Sequence, residues 1–286
     1  MYCRVLGVSR AGYYAHQSRG VSARQKSDDL LLVQCKKIYI KSSRIFGAPK
    51  IRHGLALLGI RVGQKRVARL MKAAGLVGVS RRKKYRNVGA CPKGKAPAKN
   101  WLKRRFTATA PDQKWVCDTT ELRAGGERLF LAAIMDLFSR RIVGWSWSRT
   151  NNEDLVRAAL TQALMTRSPG RTLVHSDQGS PYASLGMQKH LRLANKKCSM
   201  SRRGNCWDNA PMESWFGILK SELGSVFHTV RDADYRLFAY IEEFYNRERF
   251  HSAIHYQTPV QFELAFHKQH KLKMEQRMAA RDLAVS

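Results

Sequence analysis

Three carboxylates lie far apart in the chain, in segments whose composition suits a shared site: Asp118 in KWVCDTTEL, Asp177 in LVHSDQGSPY and Glu213 in GNCWDNAPMESWF. Together they suit phosphodiester chemistry. That chemistry must activate a nucleophilic oxygen and stabilise charge on a leaving one, and two divalent metals about 4 Å apart do both. Mg²⁺ prefers hard carboxylate oxygens and keeps several waters. Three carboxylates are enough to hold two such ions, one carboxylate bridging. Singly, each residue has a plainer reading as a cap or turn. Asp208 reads as a helix N-cap and Asp136 as a structural residue at a sheet edge. The set carries the weight.

The elements around the three decide whether they meet. Lys114–Leu122 reads as a strand, Arg128–Phe138 as an apolar run of strand length and Arg141–Ser148 as an alternating strand. The short link at Ser139–Arg140 predicts antiparallel hairpins. Helix follows over Asn152–Met165, a strand over Arg171–His175, a helix over Ser184–Leu193 and a strand over Lys197–Ser201. Pro211 fits the first turn of a helix running to Leu223, and another helix spans Asp232–Arg249. Three strands followed by alternating helix and strand indicate an α/β domain with a mixed sheet. Asp118 then sits on a rigid central strand. Asp177 lies just past a strand end, where open α/β sheets place ligands. Glu213 reaches in from a helix start.

The N-terminal third is different in kind. Residues 1–110 hold 27 Lys/Arg against Asp28 and Asp29, a net +25 out of +31 for the 286-residue chain. Such charge implies a polyanionic partner, with nucleic acid first among candidates. An anionic membrane surface is the weaker candidate, because no run of about 18 apolar residues exists. No secretory signal is evident, and a cytoplasmic, nucleoid-associated setting is expected. Residues 27–79 read as three helices. Ser27 is the expected first N-cap, and Leu31, Cys35 and Ile38 recur at helical spacing. Pro49 opens the second helix, with Ile51, Leu55 and Leu58 on one face and Gly59 ending it. The third runs from Gln64 to Ala74 before Gly75, with Val67, Leu70, Met71 and Ala74 apolar and Lys65, Arg69 and Lys72 opposite. An apolar back with a cationic front suits a DNA groove or phosphates better than a merely solvated face. Residues 1–26 carry a short helix after Ser9, like half of a helix-turn-helix, which raises the expectation that the working protein starts upstream of Met1.

Residues 80–108 are rich in Lys, Arg, Gly and Pro and read as a basic linker, with clusters at Arg81–Lys84 and Lys103–Arg105. The core is expected over 109–270 and a charged tail over 271–286. The six cysteines share no CxxC or metal spacing, which fits reduced thiols. Ser176 and Tyr182 flank Asp177 without an activating partner and read as structural. His175 is expected to orient Asp177. His251 and His255 have metal-pair spacing without a third ligand and read as packing or DNA contacts. Trp145 and Trp147 share a sheet face in the core. Trp207 and Asn209 contact DNA or pack the loop.

The strings WVCDTTEL, HSDQGSPYAS and GNCWDNAPMESWFGILKSEL resemble the three catalytic motifs of OrfB-type transposases of bacterial insertion sequences, within the DDE transposase and retroviral integrase superfamily. The 35 residues between Asp177 and Glu213 match that group's spacing. Lys220, seven residues after Glu213 and on the same helix face, stands where the family has a basic residue and would contact terminal DNA phosphates. YNRERFHSAIHYQTPVQF resembles the closing segment, and residues 27–76 resemble the basic helix-turn-helix-like region. The resemblance implies an RNase H-like fold and a two-ion Mg²⁺ or Mn²⁺ site of Asp118, Asp177 and Glu213. It implies cleavage of element ends and attack by the freed 3′-hydroxyl without a covalent protein–DNA intermediate. It also implies a homo-oligomer on DNA and an upstream reading-frame product as fusion or partner. Competing expectations are a DNA-binding repressor fragment of an element and a junction nuclease of the same fold.

Overall fold

The computed structural model describes residues 2–5, 7–80, 98–167, 169–202 and 205–283. The chain forms two compact units, Met1–Val79 and Ser80–Ser286. The cluster Arg81–Lys84 lies outside the described residues.

The first unit is helical: α1 (Tyr2–Val5), α2 (Arg10–Ser18), α3 (Ala23–Lys41), α4 (Ala48–Leu57) and α5 (Gln64–Ala73). Ser9 caps α2 as expected, its side chain accepting from the Gly12 amide. The next helix starts earlier than expected. Ser22 caps it through the Gln25 amide, and Ser27 lies inside the helix. Ser22 is itself a good cap residue, but the first apolar residue of the buried face, Leu31, lies nine residues further on, so apolar periodicity places the boundary late. Leu31, Cys35, Ile51, Leu55, Val67, Leu70 and Met71 form the core, while Leu58 ends α4 on the surface. Asp28 is buried and ties α3 to α5 through Arg66 and Arg69.

The second unit is built on a six-stranded sheet. Its strands are β1 (Lys114–Ala124), β2 (Glu127–Asp136), β3 (Ile142–Ser148), β4 (Leu173–Ser176), β5 (Lys197–Met200) and β6 (Val226–Phe227). The order is β3-β2-β1-β4-β5, with β6 pairing the far end of β1. The first three strands are antiparallel, as the hairpin links predict, and β4 and β5 add in parallel. Five helices complete the core before the C-terminal one: α6 (Glu153–Thr166), α7 (Ser180–Ala183), α8 (Leu185–Leu193), α9 (Ala210–Glu222) and α10 (Val230–Phe238). This is the mixed, RNase H-like sheet that the resemblance implies.

The two sheet faces bury separate cores, because side chains alternate along a strand. Val116, Leu122, Leu129 and Leu131 pack under α9 through Met212, Trp215 and Leu219. Trp115, Cys117, Ala132 and Ile134 pack under α6. Gly144 makes the second contact close. A Cβ there would lie 2.3 Å from the Ala159 carbonyl oxygen of α6.

Three expectations change. The helix expected over Asp232–Arg249 is α10 followed by a π-helical stretch, Ala239–Tyr245, and the chain then turns through a short 3₁₀ piece at Ser252–Ile254. Residues 98–107 pack with the core: Leu102 is buried, and the Trp101 and Leu102 amides donate to Ser199 Oγ. The tail is one helix, α11 (Pro259–Leu283). Its start is bolted down by buried Glu263, which pairs with Arg141 and Arg167, and by Phe262 and Phe266 against Phe138. Buried Asp136, on an interior strand, accepts from the Asp112 and Ser139 amides and from Ser139 Oγ, so it is structural as expected.

Candidate active site

Strand register brings the first two carboxylates together. In the parallel β1–β4 ladder, Val116 stands opposite His175. Asp118 and Asp177 each lie two residues further on, Asp177 just past the end of β4, and the Asp177 charge acts on the Asp118 carboxyl. Parallel neighbours run about 4.8 Å apart. Two residues is one full alternation, so Asp118 shares the face of Val116, and that face is the one α9 covers. Glu213 stands exposed on the first turn of α9. Lys220, half-buried on its last turn, shares that side of the helix.

The electrostatics agree with this placement. Burial pushes the Asp118 carboxyl well above the ordinary carboxylate range. The charges of Asp177 and Glu213 push it further up, while the Thr119 amide and Lys220 pull it back. Asp177 is also raised, by burial, against one amide hydrogen bond from Gly179 at 3.0 Å. Asp118 Oδ1 accepts from the Thr119 amide at 2.8 Å. The three carboxylates therefore share one field, and Lys220 acts in it. They do not form a closed ligand cluster as they stand: among the described residues, no group of three or more His, Cys, Asp or Glu is gathered closely enough to hold a metal ion.

The run before α9 sets where Glu213 begins. Asp208 was expected to cap this helix and does not. It is fully buried and binds Arg202 and Arg104, with Asn100 donating to it at 2.8 Å. Those guanidiniums hold its carboxyl far below the usual range, the Arg202 contact being the largest effect. Arg104, read from sequence as part of a phosphate-binding cluster, is engaged here. Asn209 is only 4% exposed, and its Nδ2 donates to the Cys117 carbonyl at 3.0 Å. Of the two readings for the pair, packing fits Asn209, whereas Trp207 is 69% exposed and open to a ligand. His175 does not hold Asp177 in the expected way. Its ring is buried, with Nδ1 2.8 Å from Ser199 Oγ and Nε2 3.1 Å from Ser201 Oγ. Burial lowers its pKa to about 4, so it is a neutral brace between β4 and the end of β5.

In the first unit, Lys65, Arg69 and Lys72 are all exposed along α5. Arg69 also pairs with Asp28, so part of its charge is spent inside the unit.

One feature behind the site escaped the sequence reading. Glu222, at the C-terminal end of α9, is buried and takes Arg249 through Nε and Nη2, while Tyr240 donates to it at 2.7 Å. Arg249 stands in the YNRERF string, but nothing local indicates that its partner lies 27 residues earlier.

The sheet order and the site geometry define an integrase-type core, and comparison with known families agrees. The chain matches "Integrase core domain" over residues 108–206, a second integrase core domain family over 195–259, and "HTH-like domain" over 26–84. It is 38% identical over 86% of its length to the transposase for insertion sequence element IS904 of Lactococcus lactis, covering 98% of that protein. It is 36% identical over 91% of its length to transposase InsF for insertion sequence IS3A of Escherichia coli, covering 92% of it. The HTLV-2 integrase catalytic core domain, solved in complex with magnesium, aligns at a TM-score of 0.44 and 17% identity, over 55% of this chain and 99% of that one. The chain belongs to the insertion-sequence transposases that carry an integrase core domain. Its activity is DNA transposition, a polynucleotidyl transfer.

Proposed function

We propose that Asp118, Asp177 and Glu213 hold two divalent cations, Mg²⁺ or Mn²⁺, and that the site cleaves the element's ends and transfers the freed 3′-hydroxyl into target DNA. The observation that supports this is the parallel register of β1 and β4, which pairs Val116 with His175 two residues before Asp118 and Asp177, together with the mutual charge effect of the two carboxylates. The donor set fits the cations: all three side chains offer hard oxygens, two of them from strand-anchored positions. The exposed Glu213 has the reach to close on an ion from its helix. When bound, the cations would activate the attacking oxygen and stabilise the leaving one. Lys220 would hold a terminal phosphate beside the carboxylates, and Trp207 would contact flanking DNA. Lys65, Arg69 and Lys72 would follow a groove or phosphates away from the chemistry. Synapsis of two element ends implies at least two copies on DNA, and an upstream reading-frame product, fused or separate, would supply further end recognition. No described helix is long and apolar enough to cross a membrane.

Strand transfer from a labelled element-end oligonucleotide tests the reading, comparing the native chain with Glu213→Gln in Mg²⁺ and in Mn²⁺. The expected result is joined product from the native chain only, with DNA binding kept by both. Binding without joining by either protein, including fusions to the upstream product, would refute it in favour of a DNA-binding fragment.

A further inference from the structure

Asn209 occupies the N-cap position of α9, yet its side chain makes no capping bond. An Asn at this position ordinarily uses its side-chain oxygen to accept from the first turn's amides. Here the amide nitrogen reaches across to the Cys117 carbonyl, beside Asp118. The oxygen, Oδ1, is left buried with no hydrogen-bond partner among the protein groups. Two other buried side-chain atoms share that condition among the described residues, Thr172 Oγ1 and Trp215 Nε1. Thr172 precedes β4 at the end opposite Asp177, and Trp215 lies in the apolar core under α9. Asn209 differs by its place. It is one residue removed from Asp118 through the Cys117 clamp and one helical turn before Glu213. A buried amide oxygen is retained at a cost unless a donor reaches it. The described residues supply none, and a water polarised by a divalent cation is a strong donor.

We propose that Asn209 links the two halves of the cation site, with Nδ2 clamping the β1 backbone beside Asp118 and Oδ1 accepting a hydrogen bond from a water carried by the cation bound there. The proposal rests on the two-cation reading above. Outer partners of this kind orient ligands and tune affinity, and their loss lowers metal affinity about 10–100-fold.

The test is Mn²⁺ binding by calorimetry to the full chain on an element-end duplex lacking its 3′-hydroxyl, with melting followed in the absence of metal. Asn209→Leu removes both the donor to Cys117 and the stranded oxygen; Asn209→Asp loses the donor and keeps an oxygen. Expected are a roughly 10–100-fold weaker Mn²⁺ affinity for Asn209→Leu and native-like or tighter affinity for Asn209→Asp, with metal-free melting lowered in both by the lost hydrogen bond to the Cys117 carbonyl. Native Mn²⁺ affinity in Asn209→Leu overturns the proposal. So does an equal loss of Mn²⁺ affinity in Asn209→Asp, because both variants lose the donor to Cys117 and only Asn209→Leu loses the oxygen. If the native chain takes up no Mn²⁺, or Glu213→Gln takes it up unchanged, the two-cation reading itself has failed.

Discussion

The Glu222–Arg249 pair makes a quantitative prediction about how the active helix is held. The two side chains are 5% and 8% exposed. Arg249 Nε lies 2.8 and 3.1 Å from the two carboxylate oxygens and Nη2 lies 2.7 Å from one of them. Burial alone would lower the guanidinium's pKa, but the contacts with Glu222 outweigh it and the charge is held. Breaking such a pair from one side strands a buried charge, at about 3–5 kcal/mol. In a unit of this size each kcal/mol moves the melting temperature by about 2–4 °C, so Arg249→Met or Glu222→Leu should lower it by about 6–20 °C. Replacing both with apolar side chains of similar volume should recover most of that loss, because no charge is then left alone. All six tryptophans lie beyond residue 100, so tryptophan fluorescence reports the core unit by itself. Glu222 follows Glu213 by nine residues, about 180° around the helix. The pair thus anchors α9 from behind the face that carries Glu213, and if that face is catalytic as proposed, the single variants should also lose strand joining. Single variants that melt within about 2 °C of native, or a double variant as unstable as the two losses added, would refute this account.

Two further outcomes follow from the same geometry. Burial raises Asp136 to about 6, so between the ordinary carboxylate range and that value the folded chain holds a proton that the unfolded chain has released. Stability from this group is full at low pH and falls by about 3 kcal/mol as pH rises through 6; Asp136→Asn should remove that component of the slope in urea unfolding across pH 4–7, and an unchanged slope would count against it. Lys65→Ala with Lys72→Ala should make duplex binding less salt-dependent, lowering the slope of log K against log salt by about 1.8 without altering melting; an unchanged slope would leave α5 with a solvated face only.

Much of the core was legible because its signals are local. Alternating apolar residues from Lys114 to Ser148 and a two-residue link dictate the antiparallel β1–β2–β3 meander. The period of Leu31 and Cys35, and of Val67, Leu70 and Met71, dictates buried helix faces. What failed were readings that assigned a polar residue its most common local role. Asp208 looks like a cap but is claimed by Arg104 and Arg202, which charge attraction and burial make the stronger partners. His175 neighbours Asp177 in sequence, yet the parallel β4–β5 ladder hands its ring to Ser199 and Ser201. For Asn209, two residues after exposed Trp207, burial and the bond to the β1 backbone favour the packing alternative over a DNA contact.

The sequence by itself determined the donor types, the charge asymmetry between the two units, and the strand and helix that carry each carboxylate. Side-chain chemistry and hydrophobic period are properties of short segments, and they survive without tertiary context. Only the tertiary structure decided that Asp177 comes near enough to act on the charge of Asp118, since that depends on which residues of β1 and β4 stand in register. The same holds for the pairing of Arg249 with Glu222 and for the stranded oxygen of Asn209. These are contacts between segments distant in the chain, set by packing of the whole sheet and its helices, and no local window contains both partners.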